Sequence, residues 1–251
     1  MKNNENRRFW NWSSIRDQEG KTTERVLSID GEIAEYSWWG DEVTPAKFRQ
    51  ELNADRGPVT VWINSYGGDV YAAAQIYNMM RDYPGKITVK IDGIAASAAS
   101  VIAMAGDEVL MSPVSTMMIH NPWTIAVGDE HDMAKVQEQL KVCKKTIINA
   151  YVQKTGKTEE EISELMDDET FFEAYWAIEN HFADGIIERR PIEQGGTEDK
   201  SGRKFSSRKS AAAFMNKLRM APGNVVPKPQ EPDRVEFKVD DLMKELRAKK
   251  S

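Results

Sequence analysis

The chain of 251 residues holds one cysteine and three histidines. The single thiol, Cys143, excludes an internal disulfide and any cysteine-based zinc site. Three scattered histidines are too few for a histidine-rich metal centre, and no H-E-x-x-H is present. Long apolar runs are missing too. The longest stretch of small and apolar residues, 93–106, has 14 residues, whereas a membrane-spanning helix needs about 20. No apolar stretch follows the opening Met1-Lys2-Asn3-Asn4-Glu5, so no secretory signal is expected. Neither phosphate fingerprint, G-x-G-x-x-G or G-x-x-x-x-G-K-[ST], occurs. The expectation is a soluble cytoplasmic protein with no cofactor, no metal and no membrane contact, its chemistry carried by ordinary side chains.

What is present begins with a core: apolar residues make up 40% of the chain, too many for wholesale disorder. The net charge of -6 hides a split. Residues 1–188 carry a net -13 and residues 189–251 a net +7, and five of the ten prolines fall in the second stretch. That break predicts an acidic folded body and a basic, largely flexible tail over 189–251. Val239, Leu242, Met243 and Leu246 have helical spacing, and 211–220 is another candidate short helix. The tail's charges are mixed, so a tether or assembly segment is expected there rather than a nucleic-acid-binding arm.

Residues 1–25 read as a polar, irregular segment with an aromatic group at Phe9, Trp10 and Trp12. Strands are expected over 26–33, 59–63, 87–91, 108–111 and 116–119, where apolar and β-branched residues cluster. Helices are expected from Pro45, over 70–83, within 93–106, over 130–153, after the capping box of Thr158 and Glu161, and over 174–180. Strand, glycine loop, helix, strand and helix in alternation imply right-handed crossovers against a mostly parallel sheet, hence an α/β fold. In the long helix, Met133, Val136, Leu140, Cys143, Ile147 and Tyr151 form one stripe.

Three features bear chemistry. Gly67-Gly68 sits where a strand meets a helix, so its backbone N–H groups can approach an oxyanion or a phosphate. The run Gly93-Ile94-Ala95-Ala96-Ser97-Ala98-Ala99-Ser100 brings a serine to the start of a helix of small residues, as a nucleophile is often presented. On that ground alone Ser97 and Ser100 are not separable. His120 ends the apolar run Met117-Met118-Ile119 and is placed to point into a cleft, whereas His131 and His181 sit in polar surroundings and read as surface residues.

Together, Ile63-Asn64-Ser65-Tyr66-Gly67-Gly68, Gly93-Ile94-Ala95-Ala96-Ser97-Ala98 and Met118-Ile119-His120-Asn121-Pro122 resemble the Clp protease proteolytic subunit family. Lys154-Thr155-Gly156 and the stretches 168–172 and 183–186 extend the likeness over about 26–187. Residues 72–78 and 169–171 look more narrowly like the phage and prophage branch of head maturation proteases. The resemblance implies a Clp/crotonase-type fold of repeated β-β-α units, with a long projecting helix and a C-terminal extension beyond a catalytic domain at 26–188.

It implies, too, a serine endopeptidase with Ser97 as nucleophile and His120 as general base. Glu169 would complete the triad, with Asp168 as the alternative, and the N–H groups of Gly68 and Ala98 would form the oxyanion hole. A peptide would lie along Gly67, Trp123, Thr124 and Ile125 by strand addition. The partners implied are further copies of the chain in a ring, or two stacked rings interlocked by the helix over 130–153, and a capsid or scaffold protein as substrate in the host cytoplasm. Nothing in 1–25 resembles a docking loop for an ATPase unfoldase, so none is implied. Two departures from the family matter: Tyr66 stands for a usual proline, and 123–128 replaces a more glycine-rich strand; His181 also stands for a usual glycine. Rival readings are a crotonase-type acyl-CoA enzyme, which needs neither Ser97 nor His120, and a catalytically silent ring-forming assembly protein.

Overall fold

Alternation of β-branched residues builds the centre of the sheet. Val59, Val61 and Ile63 point one way along β3 (Val59–Gly68) and are almost completely buried, as are Ile87, Val89 and Ile91 in β4 (Ile87–Ala96). Each such side chain contributes about 1.5–3 kcal/mol on burial. The computed structural model describes residues 9–16, 19, 22–33 and 45–188. Among these, β2 (Thr22–Ile33), β3, β4, β5 (Glu108–Met111) and β8 (Gly185–Ile186) lie side by side, each parallel to its neighbour. β1 (Trp10–Arg16) adds an antiparallel edge to β2. Past Ile91, β4 changes partner: its Ile94, Ala95 and Ala96 pair with β6 (Thr116–Ile119). β6 in turn pairs antiparallel with β7 (Thr170–Glu173).

Parallel neighbours need crossovers, and short helices supply them. These are α1 (Pro45–Leu52), α2 (Val70–Arg81) and α3 (Ala98–Ala103). Phe48 and Leu52 bury the apolar face of α1. Then come α4 (Glu130–Thr155), α5 (Glu159–Asp167) and α6 (Ala174–Glu179). Thr158 and Glu161 close the expected capping box, each side chain bonded to the other's backbone N–H. Only the C-terminal half of α4 is buried: Cys143, Ile147 and Tyr151 enter the core, while Met133 is exposed and Val136 and Leu140 are half-buried.

The α/β reading holds, with corrections at particular elements. The segment 1–25 is not irregular throughout, because β1 spans 10–16 and β2 already begins at Thr22. Phe9 and Trp10 are buried, and Trp10 packs edge-on against Phe48, so aromatic burial outweighs the polar neighbours. The residues left between the expected strand 59–63 and helix 70–83 are mostly strand, since β3 runs on to Gly68 against Ile33 of β2. Likewise the first residues of the small-residue run belong to β4 and only 98–103 is helix, because the backbone of 94–96 finds a second strand to pair with. β7 and β8 were not expected; at four and two residues they carry no readable alternation. The short helices expected in the tail lie outside the described residues. No helix among the described residues is long and apolar enough to cross a membrane.

Candidate active site

The carboxyl ends of β3, β4 and β6 meet at one edge of the sheet, the usual place for a site in an α/β fold. Ser97 is the first residue after β4. Its N–H donates to Met118 O at 2.9 Å, extending the β4–β6 ladder by one step, and the chain then turns into α3. The turn forces Ser97 to φ 56° and ψ -126°, a sparsely populated conformation for a residue with a side chain. Ser97 occupies the N-cap position of α3 yet makes no capping bond with its side chain. Its hydroxyl instead lies 2.7 Å from Nε2 of His120.

His120 arrives there by register. Ala96 pairs with Met118, so the residues that follow in the two parallel strands reach the same level. Both Ser97 and His120 are half-buried, so the pair is reachable from solvent while partly screened from it. A serine hydroxyl at this distance can donate to an imidazole nitrogen, the arrangement that general-base activation requires.

Gly67 and Gly68 close the other side. Gly67 has φ 94°, and a Cβ there would lie 2.7 Å from both Ala96 O and Ser97 Cβ and 2.9 Å from the Ala98 nitrogen. The glycine backbone therefore abuts the turn that carries Ser97, and the amide of Ala98 borders the same small space. At Gly68, with φ 149°, a Cβ would collide with Ile33 O. Ser65 braces the loop, its buried hydroxyl donating to Gly31 O and accepting the Gly67 N–H. Beyond it, Asp69 caps α2 by accepting the Ala72 N–H at 2.7 Å.

The acidic candidates lie at the turn from α5 into β7. Asp168 caps the C-terminus of α5, and Glu169 follows with φ 49°; both are exposed. The last β6–β7 pair is Ile119 with Thr170, and His120 and Glu169 are the residues that adjoin that pair on the two chains. Trp123, Thr124 and Ile125 are exposed and belong to no strand in this structure. His131 and His181 are exposed. No group of three or more His, Cys, Asp or Glu residues able to hold a metal ion occurs among the described residues.

Sequence reasoning missed the scaffolding around the pair. Asn121, next to His120, donates from Nδ2 to Asp167 Oδ1 at 2.7 Å. Lys144 of α4 reaches the same oxygen at 2.7 Å, and Ser163 Oγ lies 3.4 Å from Oδ2. The hydrogen bond from Lys144, and then that from Asn121, hold the Asp167 carboxyl below its ordinary range. No motif marks this cluster, because Lys144 and Asn121 lie 23 and 46 positions from Asp167 and meet it only in the fold.

The fold and the paired serine and histidine define the class of serine-type peptidases built on an α/β scaffold. The chain belongs to the Clp protease family, whose profile matches residues 22–190. It is 30% identical over 140 residues to the ATP-dependent Clp protease proteolytic subunit 2 of Thermobifida fusca (strain YX), a match covering 55% of this chain and 69% of that one. It is 28% identical over 173 residues to the ATP-dependent Clp protease proteolytic subunit of Ligilactobacillus salivarius (strain UCC118), covering 66% of this chain and 85% of the relative.

Proposed function

We propose that the chain is a ring-forming serine endopeptidase in which Ser97 is the nucleophile and His120 its general base. The observation that carries this reading is the 2.7 Å approach of Ser97 Oγ to His120 Nε2, made by a serine held at a positive φ with its hydroxyl uncommitted to the helix cap. His120 would take the hydroxyl proton as Oγ attacks a peptide carbonyl, and would return it to the leaving amine. Water would then cleave the acyl-enzyme by the same route. The amides of Gly68 and Ala98 would hold the developing oxyanion. The position of Glu169, adjoining the last β6–β7 pair, favours it over Asp168 as the carboxylate that orients the imidazole.

Within that class we read the protein as a head maturation protease of a phage or prophage, working in the host cytoplasm. The sequence blocks 72–78 and 169–171 support this, and so does the joining of an acidic body over 26–188 to a basic extension over 189–251. The substrate would be a capsid or scaffold protein. Both relatives are named ATP-dependent; for this chain the reading includes no ATPase partner.

Labelling with a fluorophosphonate probe tests the chemistry. Wild type should label, and Ser97→Ala and His120→Ala should not. Labelling that survives Ser97→Ala would refute the nucleophile. An assembled wild type that never labels would favour the silent or crotonase-type readings, which acyl-CoA turnover then separates. Incubation of the purified chain with purified capsid and scaffold proteins tests the substrate class: cleavage should depend on Ser97 and proceed without ATP.

A further inference from the structure

Behind Ser97 lies a second serine that the proposed chemistry leaves unused. Ser100 is completely buried in α3. Its Oγ lies 2.6 Å from the carbonyl oxygen of Ser97 and 2.8 Å from Oη of Tyr151. A hydroxyl has one proton and a carbonyl can only accept. The Ser100 proton therefore goes to Ser97 O, and Tyr151 must donate its own proton to Ser100 Oγ. The chain of donors has one direction: Tyr151, Ser100, Ser97 carbonyl.

Tyr151 is 1% exposed and comes from the buried end of α4, and burial pushes its phenol far above the ordinary range, so it keeps the proton it donates. The Ser97 carbonyl also accepts the Ser100 N–H at 3.0 Å and is approached by the Val101 N–H at 3.4 Å. It is held more firmly than helix formation requires. A residue kept in a sparsely populated conformation costs about 1–3 kcal/mol and persists only where its surroundings over-determine it.

The carbonyl of Ser97 and the N–H of Ala98 belong to one planar trans peptide, so they point in opposite directions. Pinning the carbonyl toward the core aims the Ala98 N–H outward, to the side where the Gly67 backbone abuts. We infer that Ser100 and Tyr151 are positioning residues that fix the Ser97–Ala98 peptide, and so set the aim of an oxyanion donor and the angle at which Ser97 meets His120. This rests on reading Ser97 as the nucleophile.

If the pair serves alignment, its loss should slow the chemical step without weakening encounter with a ligand. The test is the inactivation of the full chain by a fluorophosphonate, resolved into a maximal rate and a half-saturating concentration, beside thermal melting. Ser100→Ala should lower the maximal rate about tenfold, the worth of one hydrogen bond, and leave half-saturation unchanged. It should also lower the melting temperature, because Tyr151 Oη is left buried without a partner.

The double variant Ser100→Ala/Tyr151→Phe removes both polar groups. It should recover the melting temperature yet stay as slow as Ser100→Ala, whereas Tyr151→Phe alone should slow labelling less than Ser100→Ala. A double variant that labels at the wild-type rate would overturn the proposal, showing that the pair serves stability alone. So would a loss confined to half-saturation. An unlabelled wild type would instead overturn the peptidase reading itself, so the two failures are distinguishable.

Discussion

Gly67 shows how little room this site leaves for substitution. Its left-handed φ disfavours any side chain, and the nearest atoms to an added methyl belong to the turn that carries Ser97. Gly67→Ala should therefore cost stability through backbone strain and also displace Ser97 from His120. The expected result is a folded but less stable protein whose fluorophosphonate labelling falls by about 100-fold, since a displacement of about 1 Å in a reacting group costs that much. Labelling within a factor of two of wild type would show that the glycine is not packed against the reacting serine. Asp167 acts at the same scale through charge. Its folded pKa lies below the ordinary value of 3.8, so its ion pair stabilises the fold above that value. The contribution is lost as pH falls through the lower, folded value. The stability difference between wild type and Asp167→Asn should thus be constant near neutral pH and shrink below about pH 4, as followed by urea unfolding across pH. A difference that grows on acidification would contradict the ion pair; its size is kept small by solvent, because the carboxylate is 56% exposed.

Elements were legible where a local rule fixes them. The capping box of Thr158 and Glu161 gave the start of α5, and the structure bears it out with both reciprocal bonds. Thr158→Ala should cost about 1 kcal/mol in equilibrium unfolding; no measurable change would mean that the helix start is held by packing alone. β5 and β6 were equally readable, being short apolar runs between turn residues. Where pairing is decided by a distant strand, the sequence was silent. Nothing local says that Asn64–Gly68 continue β3, because it is Ile33, thirty-five positions before Gly68, that pairs with the end of the strand. The same holds for Ile94–Ala96, whose small side chains suit a helix until β6 offers a ladder. The site divides along that line. Ser97, His120 and the glycines stood out because each sits at a junction of elements, and a motif carried them. Asp167 and Lys144 did not, and Ser100 and Tyr151 were seen only as a rival nucleophile and a stripe residue, because their contacts between α3, α4 and α5 are recorded by no spacing.

At the scale of the whole molecule, the surface left open is as informative as the core. Trp123, Ile125 and Val127 are 58%, 83% and 97% exposed, and Met133 and Val142 on α4 are exposed as well. So many large apolar side chains between positions 123 and 142 are unusual on a protein that works alone. The N-terminal half of α4 carries two of them, past the point where the helix leaves the core. Copies of the same chain packing through this helix would cover them, which is the contact that two stacked rings interlocked by this helix would make. Val142→Asp tests the idea cleanly, because an exposed position on a lone chain should tolerate the change within about 0.5 kcal/mol. In an interface the same carboxylate would be desolvated without a partner. The expected outcome is a particle that sediments as a smaller species while the melting curve of the individual subunit is preserved. Sedimentation velocity on wild type and variant reads this directly. If wild type is monomeric, or if Val142→Asp sediments with wild type at every concentration, α4 does not join the copies and the apolar segment must serve a different contact.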